Sequence, residues 1–247
     1  MTQIETHKGR FYGVGVGTGD PELLTLKAWR CIKNADMVCY LCNDTGFSQA
    51  KYIAREALNA RDTVPDYLPI TMPMRINRQA ANEAYDQARI NIKRALEKNK
   101  NVVFLCEGDP LFFGSLNYLL LRLQDYPCEV IAGISSIHAA SARLAQPLTM
   151  QQESLAVVSG RHDNDHIYYT LLNYDSVIIM KAGSARPRLL QLLKQTQRFN
   201  ETVYLAHIGR EQEYITQNLD ELDQEKQGDY FSLFLVTRQA QRNGLAV

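Results

Sequence analysis

The chain has 247 residues, 45% of them hydrophobic and 22% charged, which is the composition of a folded globular protein rather than a disordered or fibrous one. Its 27 Lys and Arg balance 27 Asp and Glu, so no overall field gathers nucleic acid or an anionic membrane, and any anion-binding surface has to be local. Residues 1–10 lack the apolar core of a signal peptide, no run of about 18 apolar residues occurs, and the 5 cysteines lie mostly in apolar runs, so a cytoplasmic protein with reduced thiols and neither nucleic-acid nor membrane partners is expected.

Short apolar runs alternate with longer segments of helical spacing, the signature of an α/β protein with mainly parallel or mixed sheets. Arg10–Gly15 reads as a first strand, Pro21–Lys33 as a helix, Met37–Leu41 as a second strand and Gln49–Leu58 as a second helix. Val64–Arg75 holds Pro65, Pro69 and Pro73 and is expected to be extended or looping. A long amphipathic helix over Gln79–Lys98 should place Ala84, Ala88, Ile92 and Ala95 on one face. Asn101–Cys106 and Cys128–Ile131 are further buried strands, separated by a helix predicted to begin at Pro110. After a helix through Ala139–Leu144, a fresh alternation begins at Leu155, so Gln146–Pro147 is the expected junction of an N-terminal domain, 1–146, with a C-terminal domain, 147–247. Strands are predicted in the latter at Leu155–Val158, Val177–Lys181, Val203–Ala206 and Phe231–Val236.

Three turns after predicted strands carry the chemistry. In the first, Gly13–Pro21, Asp20 is placed to cap a helix and Pro21 suits its first position. A dinucleotide fingerprint fails there on spacing: G-x-G-x-x-G counted from Gly13 puts Thr18 at the last position, and from Gly15 it puts Asp20 there. The same Asp-Pro device recurs at Cys106–Pro110, and Ala132–Ser136 adds hydroxyls at a third turn. In a parallel sheet such loops gather at the carboxyl ends of the strands, where helix N-termini offer unpaired amides and partial positive charge.

The three turns together resemble the tetrapyrrole methylase family. Its opening glycine-rich motif stands here as Gly15-Val-Gly-Thr-Gly-Asp-Pro-Glu-Leu-Leu-Thr-Leu-Lys-Ala28, its second as Glu107-Gly-Asp-Pro-Leu-Phe-Phe-Gly-Ser115, and its third as Val130-Ile-Ala-Gly-Ile-Ser-Ser136. Pro69–Met74, Met180–Gly183 and Tyr230–Leu233 resemble the branch that methylates carbon 20 of precorrin-2. Two departures, Thr18 and Ala132 where the family usually has Pro, bear on loop rigidity rather than on reactive groups.

The resemblance implies two α/β domains, usually in a homodimer, with S-adenosylmethionine bound in a cleft between the domains. It implies cofactor contacts at Gly108, Asp109, Phe112, Ser135, Ser136 and Met180, with Gly17, Asp20 and Pro21 helping to place the tetrapyrrole. The implied reaction is methyl transfer to carbon 20 of precorrin-2, metal-free or bearing cobalt, in cobalamin biosynthesis. Because the methyl carbon is already electrophilic, alignment of the reactants can supply about 7–11 kcal/mol and no nucleophilic triad or metal is called for. The proton leaving carbon 20 could pass to a side chain, a substrate propionate or water. Substrate carboxylates call for cations, and Arg75, Arg143 and Lys181, with Arg78, Arg161 and Arg186, lie beside the expected loops, although an exposed solubilising role is the commoner fate of any one of them.

Other patterns have blander readings. Cys39 and Cys42 have C-x-x-C spacing without a second pair and read as structural thiols, and Cys106 reads as a small buried residue at a strand end. His162 and His166, four apart, read as part of a solvated loop before a helix rather than as metal ligands. The competing functions are methylation of uroporphyrinogen III or of a diphthamide precursor, and a non-catalytic tetrapyrrole-binding protein. The first two share the cofactor motifs, and the third is disfavoured by the intact Gly-Asp-Pro turns.

Overall fold

The computed structural model describes residues 9–72 and 78–238, apart from the side chain of Arg78. The chain divides into two compact units, Met1–Ser136 and Ile137–Val247. The division lies at the head of a helix whose far end is the Gln146–Pro147 junction marked by the sequence pattern. This helix is tied to the second unit, since Gln146 Nε2 donates to Thr237 Oγ1 at 2.6 Å and Arg143 pairs with Glu213.

The first unit is built in the order β1 (Phe11–Gly15), α1 (Leu26–Asn34), β2 (Met37–Cys42), α2 (Gln49–Ile53), α3 (Arg55–Asn59), β3 (Asp66–Thr71), α4 (Arg78–Glu97), β4 (Val102–Cys106), α5 (Leu116–Leu120) and β5 (Cys128–Ile131). Its five strands lie in the order β3-β2-β4-β1-β5, and every pairing is parallel. Both faces are covered, as parallel sheets require, so β4 is buried at every residue. Val103 and Leu105 join Ala28, Ile32, Ile53 and Ala57 on one face, while Val102, Phe104 and Cys106 join Tyr85, Ile92, Leu96 and Leu116 on the other. Thus the helix after β1 and the helix after β4 pack on opposite faces although their strands are neighbours. That is a topological switch point, the place where parallel α/β sheets open a ligand crevice.

β3 occupies the expected extended segment. It is an edge strand, which is where Pro69 can sit without breaking a ladder. The predicted helix over Gln49–Leu58 is broken at Ala54 into α2 and α3. The long helix α4 buries Ala88, Ile92 and Ala95 as its spacing predicts.

Two predicted helix starts differ from what forms. Asp20 Oδ1 does accept from Glu22 N at 2.8 Å, but it caps only a 3-10 turn, Pro21–Leu23. The chain is extended again at Leu24, and Thr25, whose hydroxyl accepts from Ala28 N at 3.1 Å, caps α1. A second capping residue five positions on outcompetes the first for the true helix. No helix begins at Pro110 either. Asp109 Oδ1 accepts from Leu111 N at 3.0 Å in a tight turn, Phe113 has φ +53°, and helical structure waits until Leu116.

After α6 (Ser136–Leu144) the second unit contains β6 (Leu155–Ser159), α7 (Asn164–Asn173), β7 (Ser176–Met180), α8 (Arg186–Gln195), β8 (Thr202–Ala206), β9 (Tyr214–Thr216) and β10 (Ser232–Thr237). The sheet order is β6-β7-β10-β8-β9, with β6 and β7 parallel and β10 antiparallel to both its neighbours. β9, too short to show a pattern, was not legible in the sequence. Ile167 and Leu171 of α7 and Leu189, Leu190 and Leu193 of α8 pack with Val177, Ile179, Tyr204 and Phe234 in one core. Arg198, buried beneath this core, donates to the carbonyls of Leu171 at 2.7 Å, Tyr174 at 3.0 Å and Asp175 at 2.8 Å, and pairs with Glu201. Among the described residues no helix is long and apolar enough to cross a membrane.

Asp175 ties α7 to the head of β6: its Oδ2 accepts from Ser154 N at 2.9 Å and Ser154 Oγ at 2.8 Å, which holds the carboxyl below the usual range. A depressed folded-state pKa contributes stability that is complete above the unfolded value of about 3.9 and is lost as pH falls through the folded value. Asp175→Asn is therefore expected to flatten the acid limb of the stability curve below about pH 4. Urea unfolding midpoints of the two proteins at pH 3 and pH 7 check this, with a smaller pH difference expected for the variant.

Candidate functional site

β1, β4 and β5 end at the same edge of the first sheet, and the three turns that follow them touch through main chain. Val16 N donates to Cys106 O at 2.9 Å. Gly17 and Gly108 form an antiparallel bridge, with Gly108 N donating to Gly17 O at 2.7 Å and Gly17 N to Gly108 O at 3.3 Å. Gly133 N, in the third turn, donates to Asp109 Oδ2 at 3.2 Å. The sequence-marked residues Gly17, Gly108, Asp109 and Ser135 are thus gathered at one edge, with Asp20, Pro21, Phe112 and Ser136 on the adjoining segments.

Glycine is required here by space. A Cβ on Gly133 would lie 2.2 Å from Gly108 O and 2.8 Å from Gly15 Cα, and one on Gly15 would lie 2.6 Å from Gly133 N. Gly17 and Gly108 also hold φ of +79° and +64°, which side chains disfavour. A Cβ on Gly108 would meet nothing closer than 3.9 Å, so that side of the turn stays open for a ligand to approach the backbone. The expected helix dipoles are largely missing, because the first turn leads into a single 3-10 turn and the second into none. Of the three, only the third runs directly into an α-helix, α6, with Ser135 buried just before it. The candidate surface is therefore made of closely packed peptide groups more than of helix ends.

Cys106 ends β4 beside these turns, and burial, with Asp109 and Glu107 nearby, pushes its thiol well up, so it remains protonated and inert. Cys39 is likewise raised by burial, and Cys42 Sγ sits 3.5 Å from Thr71 Oγ1, in keeping with structural thiols. His166 lies in the first turn of α7, which Asp163 caps, with the His162 ring 4.3 Å away. Among the described residues no group of three or more His, Cys, Asp or Glu is arranged to hold a metal ion.

In the second unit, Met180 ends β7 and Lys181 follows with φ +54°. Gly160 N donates to Met180 O at 2.6 Å, and Gly228 N donates to Gly183 O at 2.8 Å. Because β10 runs antiparallel, its leading loop, 228–231, lies at the same edge as the turns leaving β7 and β8. There His207, with φ +53°, pairs through Nε2 with Asp229 Oδ1 at 3.3 Å. Sequence reasoning missed His207, Gly209 and Asp229, and the available signal was glycines flanking strand ends, at Gly160, Gly209 and Gly228. Of the expected cations, Arg143 is paired with Glu213 at 2.6 Å, and Arg186 is spent on the carbonyls of Lys226 and Asp223. Lys181 is half-buried, and desolvation followed by the charge of Arg161 lowers its pKa. Arg75, with the rest of residues 73–77, lies outside the described residues, as does the side chain of Arg78.

A doubly covered parallel sheet whose loops interlock at a switch point defines an α/β protein of the architecture in which ligand crevices form at the carboxyl ends of the strands. The chain belongs to the Tetrapyrrole (Corrin/Porphyrin) Methylases, whose family model matches residues 10–223. It is 31% identical over 235 residues to a precorrin-2 C(20)-methyltransferase from a Sinorhizobium species, covering 92% of this chain and 95% of that one. It is 26% identical to a probable cobalt-precorrin-2 C(20)-methyltransferase of Methanocaldococcus jannaschii, covering 93% and 96%. Among solved structures, a uroporphyrin-III C-methyltransferase of Thermus thermophilus complexed with S-adenosylhomocysteine shares the fold, with TM-score 0.67, 22% identity and coverage of 95% and 100%.

Gly133→Ala should overpack the three-turn contact and cost about 1–3 kcal/mol. Gly46→Ala, at φ +81° in open space, should cost about 1–2 kcal/mol from its left-handed backbone alone. Amide exchange separates them: only Gly133→Ala is expected to loosen the Gly17–Gly108 bridge.

Proposed function

We propose that the chain transfers a methyl group from S-adenosylmethionine to carbon 20 of precorrin-2 or its cobalt form, a step of cobalamin biosynthesis. The observation that carries this reading is the near full-length likeness to C(20)-methyltransferases on a fold whose three motif turns interlock through glycine. The bound cofactor supplies an electrophilic methyl carbon. The chain supplies position: the open face of Gly108, Phe112, the Ser135 and Ser136 hydroxyls and Met180 are assigned to the cofactor. Gly17, Asp20 and Pro21 are assigned to the macrocycle.

Tight, pre-formed main chain suits this task, because a reaction between two bound partners gains most from alignment and water exclusion. Burial keeps the Cys106 thiol protonated and so a poor competitor for the methyl group. Lys181 is assigned to a substrate carboxylate, with Arg143 and Arg75 as further candidates. An incoming carboxylate would relieve the unfavourable burial of the Lys181 charge beside Arg161. A homodimer in the cytoplasm completes the reading.

Incubating the purified protein with labelled S-adenosylmethionine and precorrin-2, with and without cobalt, tests it. One methyl added at carbon 20 is the expected product. Methylation of uroporphyrinogen III instead, or absence of transfer, would overturn the assignment. Lys181→Ala should raise KM for the tetrapyrrole several-fold, more at low than at high ionic strength, with kcat little changed.

A further inference from the structure

Asp109 is unusual among the marked residues in having both carboxylate oxygens committed to main chain. Oδ1 accepts from Leu111 N at 3.0 Å, within its own turn, and Oδ2 accepts from Gly133 N at 3.2 Å, in the turn that follows β5. We propose that Asp109 is a positioning residue. Its carboxylate clips the third turn to the second and sets the main chain of Gly133–Ser135 in its binding shape before any ligand arrives, rather than contacting the cofactor itself. This rests on the reading of the three turns as the cofactor site.

The chemistry favours a carboxylate for that task. Two amides from segments far apart in sequence must be satisfied at once, and an ionised carboxylate is acceptor-only at both oxygens. An amide in its place would turn an NH2 toward one of the two N–H groups. Charge-assisted bonds of this kind are also stronger than neutral ones. The clip acts where position is most constrained, since Gly133 is already wedged against Gly108 O and Gly15. The second turn launches no helix; the Gly17–Gly108 bridge ties it to the first turn, and the Asp109 bond to Gly133 N ties it to the third. A loop held in its bound shape spares a ligand the cost of ordering it.

The test compares wild type with Asp109→Asn, Asp109→Ala and Asp109→Glu. Amide exchange of the segment 132–136 is measured without ligand, followed by the Kd for S-adenosylhomocysteine and by KM and kcat for methyl transfer. Asn and Ala are expected to speed exchange in 132–136 while the β1 and β4 amides stay protected. They should weaken S-adenosylhomocysteine roughly tenfold or more and raise KM for the methyl donor in parallel, leaving kcat at saturation within about threefold. Glu should recover part of both effects. Unchanged exchange in 132–136 overturns the inference whether or not affinity falls, because lost affinity without loosening would mean that the carboxylate touches the ligand. Should Ala fail to fold, Asn, which keeps the size, decides. Should wild type fail to bind S-adenosylhomocysteine, the cofactor reading falls while the exchange comparison still judges the clip.

Discussion

The structure of the first unit depends on the close approach of three peptide segments at one edge of a parallel sheet. Gly15 and Gly133 pack against each other and against the carbonyl of Gly108 at distances that leave no room for a methyl group on either of them. Strand order makes this possible. β4 and β5 flank β1, so the turns leaving all three emerge side by side, and helices leaving β1 and β4 depart to opposite faces. The sheet therefore supplies the rigid base, and the glycines let the loops above it close on one another.

The chemistry of the family follows from that constraint. On the proposed reading, a surface of peptide groups backed by a doubly buried sheet holds a donor and an acceptor in register without reactive side chains. The one cysteine beside the turns is kept protonated by its surroundings. The second unit meets its own demands by different means. A mixed sheet is locked by the buried guanidinium of Arg198, which satisfies three carbonyls, and its loop edge is shaped by the left-handed residues Lys181, His207 and Gly209.

Much of this was legible in the chain. Buried strands announced themselves as apolar runs, and the order of the three turns identified both the edge and the family. Legibility stopped where local signals compete. Asp20 and Thr25 are both good caps, and only the fold decides that Thr25 starts the helix. Asp-Pro at 109–110 has the form of a helix start, yet Phe113 turns left-handed and the Asp109 carboxylate reaches across to Gly133, a partner that no local pattern reveals. His207 and Asp229 were missed because the antiparallel return of β10 brings together residues far apart in sequence. Arg186 was read as one of several cations beside the loops, with an exposed solubilising role the commoner fate, but it is buried and spent on loop carbonyls inside the second unit.

The central claim is that the three turns act as one binding surface. Titrating S-adenosylhomocysteine into isotope-labelled protein and following amide resonances measures it directly. The account predicts that the amides of Gly17, Gly108 and Ile134, one from each turn, shift together with one saturation curve, while those of the distant α4 stay still. Shifts confined to a single turn, or shifts with separate affinities, would contradict it.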